Sequence, residues 1–95
     1  MTDAPSAETF TRHIGKAVSL HDGHRLTLVA VDQRKSGAPD AESHAFSLLL
    51  RGAPAPIAPE GMHRLILAGG ASFDLYLIPI YTPSRDHQDY QVIFN

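Results

Sequence analysis

One ten-residue stretch constrains the fold more than any other. Residues 71 to 80 read Ala-Ser-Phe-Asp-Leu-Tyr-Leu-Ile-Pro-Ile. Phe73, Leu75 and Leu77 alternate with Asp74, Tyr76 and Ile78. A period of two is the signature of a β-strand with its apolar face inward. Asp74 marks the other face as wet at one end, while Tyr76, Ile78 and Ile80 make it apolar at the other. A strand apolar on both faces near one end is expected at a sheet centre, or under another element. Gly69-Gly70 gives a turn before it. Pro79 has no N–H and is expected to end regular pairing. The other strands are expected to assemble around this one.

The rest of the chain follows the same grammar. Lys16 to His21 and His24 to Arg34 read as strands joined by Asp22-Gly23. That pair predicts a two-residue hairpin turn with both turn residues at positive φ. In the second strand the apolar register switches near Leu28–Val29, which predicts a bulge or burial on both faces. His44 to Arg51 is a third strand, with Phe46, Leu48 and Leu50 inward. Gly61 to Ala68 is a fourth, with Leu65 and Leu67 on one face and Ile66 on the other. Tyr90 to Phe94 is the last, with Tyr90, Val92 and Phe94 alternating.

Three segments interrupt the strands. Lys35 to Ser43 and Thr82 to Asp89 are polar loops, the first expected to be mobile. Gly52 to Pro59 carries three prolines and is expected to run as an extended, polyproline-like loop. At the start, Ser6 is placed to cap a helix through about Ile14, with Glu8 in its first turn and Gly15 as its stop. Phe10 and Ile14 share a face. Two turns are marginal alone, so this helix must dock on the sheet. The pattern predicts one all-β domain over residues 1–95. It is a small antiparallel β-barrel or sandwich of about six strands with a short N-terminal helix.

Composition removes several functions. A chain of 95 residues with 43% hydrophobic and 19% charged residues supports one modest core. A formal net charge of −2 makes no electrostatic case for nucleic acid or an anionic membrane. The absence of cysteine removes disulfides and thiolate metal sites, and suits a reducing compartment. The opening Met-Thr-Asp-Ala-Pro-Ser-Ala-Glu is polar and acidic, unlike a signal peptide, and no apolar run is long enough to span a bilayer. A cytoplasmic location is expected, with incorporation in a secreted or tail-like assembly also compatible.

Three stretches carry a resemblance. Phe46-Ser-Leu-Leu-Leu-Arg-Gly52, Phe73-Asp-Leu-Tyr-Leu-Ile-Pro79 and Tyr90-Gln-Val-Ile-Phe-Asn95, in that order, resemble a small bacterial family of unknown function. Thr9-Phe-Thr-Arg-His-Ile-Gly15 and the Asp22-Gly23 hairpin are also similar to it. Leu50 and Tyr76 depart from the pattern, standing where an aromatic and a phenylalanine are expected. Members are often encoded beside phage tail-collar proteins of the microcystin-dependent type. The resemblance therefore implies an accessory of a tail-like or fibre-like assembly, and no catalytic residues.

Six histidines are the most unusual feature. Across a two-residue turn His21 and His24 would stand opposite, with Cβ atoms about 4.5–5.5 Å apart. They could share a metal ion with help from Asp22, but zinc needs further ligands from His13, His44, His63 or His87. A solvated pair flanking a turn explains them as well, so no metal and no cofactor is expected. Ser84-Arg85-Asp86-His87 holds triad residue types without triad spacing. Asp32, Glu60 and Asp74 have no acid–base spacing, and Pro56-Ile-Ala-Pro59 matches the Pro-x-x-Pro that aromatic grooves read. No motif marks an enzyme.

What remains is surplus apolar surface. Leu49, Ile66, Tyr76, Ile78, Ile80 and Ile93 all fall opposite the inward sets. The chain is expected to be a binding or assembly module that meets a protein partner or a second copy. Tyr76, Ile78 and Ile93 are the interface candidates, with the terminal strand as an open edge. A small histidine-based metal-binding domain or enzyme is the alternative.

Overall fold

One way for short strands with one apolar face to hide it is to curl round a common axis. In the computed structural model, which describes residues 6–33 and 45–94, they do so. The strands are β1 (Ala17–Leu20), β2 (Arg25–Gln33), β3 (Phe46–Gly52), β4 (Gly61–Leu67), β5 (Ser72–Pro79) and β6 (Gln88–Phe94). They form a closed antiparallel barrel in the order β1-β2-β3-β6-β5-β4. The choice between barrel and sandwich is thereby resolved. The interior is filled by the predicted inward sets, including Leu26, Leu28, Leu48, Leu50, Leu65, Leu67, Leu77 and Val92, all buried. A barrel this narrow is a packed core rather than a channel. The expected bulge is present, since the β2–β3 register shifts between Leu28 and Ala30.

The 71–80 stretch is a strand of the expected parity, but it is not the centre. β5 pairs with β4 from Ser72 to Leu77. Its ladder to β6 has the partners Ile78↔Gln91 and Pro79↔Tyr90, followed by a bond from the Ile80 N–H to Asp89 O at 3.1 Å. Pro79 is the last residue of β5, as expected, and it still pairs with Tyr90 in the short ladder to β6. Closure staggers the register, so one strand can spend different residues on its two neighbours. The most fully paired strand is β3, held along its length by β2 on one side and β6 on the other. Accordingly β6 is no free edge. Beyond Gln91, however, its ladder to β5 stops, and the inward residues beside that seam, Phe73, Leu75 and Phe94, are only partly buried.

The helix α1 (Ala7–Thr11) is shorter than the spacing predicts, and Ile14 is left exposed. The β-ladder claims the chain first. The Gly15 N–H donates to Leu28 O at 2.7 Å, and the Leu28 N–H to Lys16 O at 3.1 Å. Gly15 takes φ 86°, open to glycine at little cost. Phe10 is 99% hidden and plugs this end of the barrel. Its ring centroid lies 6.0 Å from Phe46 and 5.5 Å from both Phe73 and Phe94. Phe46 and Phe94 stack at 4.1 Å. All four phenylalanines of the chain thus meet in one cluster. His13 fixes the helix end, with Nδ1 3.0 Å from Thr9 O and Nε2 3.0 Å from Ala68 O.

The proline loop also differs from expectation. It bends over residues 54–56, and the Ala55–Pro56 peptide is cis. Ala58 is fully buried, closing the other barrel end. The polar segment 35–43 lies outside the described residues. Among the described residues no helix is long and apolar enough to cross a membrane.

Phe10→Ala is expected to cost about 3–5 kcal/mol of stability, because it empties a plug that three rings touch. Phe73→Ala should cost less, since Phe73 is already partly exposed. Urea denaturation of both variants checks the order; a larger loss at Phe73 would place the plug elsewhere.

Candidate functional site

The polar groups that converge do so around the β1–β2 turn. Leu20 donates its N–H to His24 O at 2.8 Å, and the Gly23 N–H donates to Leu20 O at 3.0 Å. Leu20, not His21, therefore stands opposite His24. The turn has three residues, His21-Asp22-Gly23, and only Gly23 takes positive φ, at 101°. The two-residue hairpin is thereby corrected. A single left-handed glycine after an ordinary turn satisfies the strand twist as well as a pair does. The His21 N–H donates to Arg64 O on β4 at 3.0 Å, while the His24 side chain turns to the proline loop. The two metal candidates are not a facing pair.

Asp22 sits between two histidines. Its Oδ1 accepts the His24 backbone N–H at 3.0 Å and faces His24 Nδ1 at 2.8 Å. Its Oδ2 lies 3.9 Å from His63 Nδ1 on β4. The far nitrogens reach the proline loop: His24 Nε2 to Pro56 O at 3.1 Å, and His63 Nε2 to Pro59 O at 2.7 Å. Between them the Ala58 N–H donates to the buried Tyr90 Oη at 2.9 Å. One carboxylate, two imidazoles and a phenol thus hold residues 56–59 against the barrel. The His24 backbone N–H, aided by its ring, keeps the Asp22 carboxyl below its ordinary range. The Asp22 carboxylate in turn raises His24, against a smaller opposing effect of burial.

Two shallow grooves flank this turn. One, of about 500 Å³, is lined by His21, Asp22, Met62, His63, Arg64 and Asp74. The other, of about 420 Å³, lies between the turn and the proline loop, with Tyr90 in its wall. The remaining candidates are dispersed. Asp74 is engaged by Arg64 at 3.0 and 3.3 Å. Glu60 Oε2 accepts the Tyr76 hydroxyl at 2.8 Å. Ser84 Oγ accepts the Asp86 N–H at 3.0 Å. His87 Nε2 lies 3.6 Å from Asp89, which pairs with Arg51. His44 lies outside the described residues. Among the described residues no three His, Asp or Glu side chains are grouped to hold a metal ion. The Pro-x-x-Pro segment is bonded to its own barrel at Pro56, Ala58 and Pro59.

The interface candidates lie on the outer wall. Tyr76 is 47% exposed and stands opposite Met62, which is 64% exposed. Ile93 is 40% exposed, and Ile78 is half-buried opposite Gln91. Met62 carried no signal in an alternation reading, because it begins its strand beside Gly61. His63 and Tyr90 could not be tied to Asp22 and Ala58 from spacing, since each contact joins separate strands.

Tyr90→Phe is expected to cost about 1–3 kcal/mol, because it strands the buried Ala58 N–H without an acceptor. Denaturation should show the loss, and hydrogen exchange at Ala58 should speed up. An unchanged midpoint would mean that water takes the place of the hydroxyl.

The family described as a domain of unknown function (DUF6916) matches residues 5–94. No curated protein and no solved structure matches the chain.

Proposed function

We propose, from the premise that this chain belongs to the DUF6916 family of domains of unknown function, that it acts by association and not by catalysis. The observation that carries this reading is the seam between β5 and β6. Pairing there covers two positions. Beyond it, the wall exposes Tyr76 and Ile93, and the core residues Phe73, Leu75 and Phe94 are only partly covered. Exposed apolar side chains beside an interrupted ladder are what a second chain covers best. Its backbone can extend the ladder while its side chains cover the rings. A second copy is the simplest occupant, because an antiparallel strand edge is complementary to itself about a two-fold axis.

The resemblance to a bacterial family encoded beside tail-collar proteins supports a finer reading, an accessory of a tail-like or fibre-like assembly. The histidine alternative has less behind it, since both nitrogens of His24 already face oxygens of the chain itself.

Size exclusion coupled to light scattering, at micromolar concentration, is expected to show a dimer or larger species. Tyr76→Lys with Ile93→Lys should return it to monomer while leaving stability within about 0.5–1 kcal/mol, because both side chains are on the surface. A wild-type monomer under these conditions would overturn self-association.

A further inference from the structure

The bonds that hold the proline loop to the β1–β2 turn do not all survive a change in protonation. His24 faces two groups that can only accept: the Asp22 carboxylate at 2.8 Å and the Pro56 carbonyl at 3.1 Å. A neutral imidazole has one N–H, and its other nitrogen presents a lone pair. Only the imidazolium donates to both. When the proton leaves, one bond must go. The charge-assisted bond to Asp22 is the stronger, and it is reinforced by the His24 backbone N–H at 3.0 Å on the same oxygen. The bond to Pro56 is therefore the one released.

We propose that His24 is a pH-dependent latch that joins the proline loop to the Asp22 turn when protonated and frees the loop near Pro56 when neutral. The rest of the loop has other anchors. Ala58 is held by the Tyr90 hydroxyl from β6, and Pro59 by His63 from β4. Release is thus local to the segment before Ala58, where Ile57 is already 53% exposed. It opens the groove in which Asp22, His24, Pro56 and Tyr90 meet.

The charged neighbours fit this assignment. His24 is in contact with the Asp22 carboxylate, and the Tyr90 phenol and Arg25 line the same groove. Facing Asp22 from β4 is His63, at 3.9 Å. His21 and the mutually paired Arg64 and Asp74 line the other groove. Asp22 is the one carboxylate in contact with His24 among the described residues.

The direction with pH follows from the two groups. His24 titrates above its ordinary 6.5, so its contribution is full below that value and is lost as pH rises through the raised one. Asp22 titrates below its ordinary 3.8, so its contribution is full above that value and is lost as pH falls through the lowered one. The latch is closed between these ordinary values and opens on the alkaline side as His24 loses its proton.

Nuclear magnetic resonance on the full labelled chain tests this. The His24 ring and the backbone amides of Ala53, Ala55, Ile57 and Ala58 are followed from about pH 5 to about pH 8.5, the range in which histidine changes charge. The ring is expected to titrate above 6.5, and the amides before Ala58 to shift with the same midpoint. In His24→Gln those amides should stay flat across the range, whereas in His63→Gln they should titrate as in wild type. In Asp22→Asn the ring and the amides should move together to a lower pH. Amides that ignore the His24 midpoint in the wild-type chain, or that still titrate in His24→Gln, overturn the latch. If His24→Gln fails to fold, the joint shift in Asp22→Asn decides it, because loop amides that keep their midpoint while the ring moves would equally overturn it.

Discussion

A closed barrel has no fully open edge, but it has two ends, and stability depends on filling them. Phe10 fills one. Among the described residues it is the only helical side chain in the buried core, and it touches rings from β3, β5 and β6. Without it, Phe46 and Phe94 would still stack, but the mouth they line would admit water. Burial of that cluster holds a helix of five residues that could not persist alone. It also explains why the helix stops early. Once Phe10 is seated and Gly15 has bonded Leu28, a further helical turn would pull one of them out.

The other end is filled by different means. Ala58 is the buried stopper, and its backbone is satisfied by a phenol that reaches up from β6. The prolines cannot donate, so their carbonyls must look outward for donors. They find the ring nitrogens of His24 and His63. A loop that looks like a featureless connector in sequence is in effect a lid, made of apolar contact at one residue and hydrogen bonds at its neighbours.

How much of this was legible depends on distance along the chain. Inward and outward faces are set by a period of two, which is local, so Leu48, Leu50, Leu65, Leu67, Leu77 and Val92 were readable one strand at a time. The bulge near Val29 was readable for the same reason, because a switch of register within one strand leaves its mark on that strand. Closure was not. The offset between β5 and β6 arises from the stagger of all six strands, so neither the modest role of the 71–80 stretch nor the pairing at Pro79 could be read from that stretch. The histidine arrangement fails for the same reason. Asp22-Gly23 announced a turn, but its three-residue form depends on Leu20 pairing with His24. His63 and the proline loop come from elsewhere in the chain. The acidic turn was visible, and its partners were not.

The two ends therefore differ in what can move them. The helix end is built mainly of apolar rings, with the His13 ring bonded to two carbonyls beside them. The loop end is held by donors whose protons can leave. The barrel wall between them is hydrogen-bonded all round, with the ladder between β5 and β6 the shortest. This division follows from the amino acids available. Four phenylalanines close one mouth, and the second is closed by Ala58, by the buried Tyr90 that bonds it and by the histidine contacts. A barrel closed in that way has one mouth filled by rings and one filled by a hydrogen-bonded loop. If His24 acts as a latch, the response to pH is placed where its ring meets the Pro56 carbonyl, at the mouth away from Phe10.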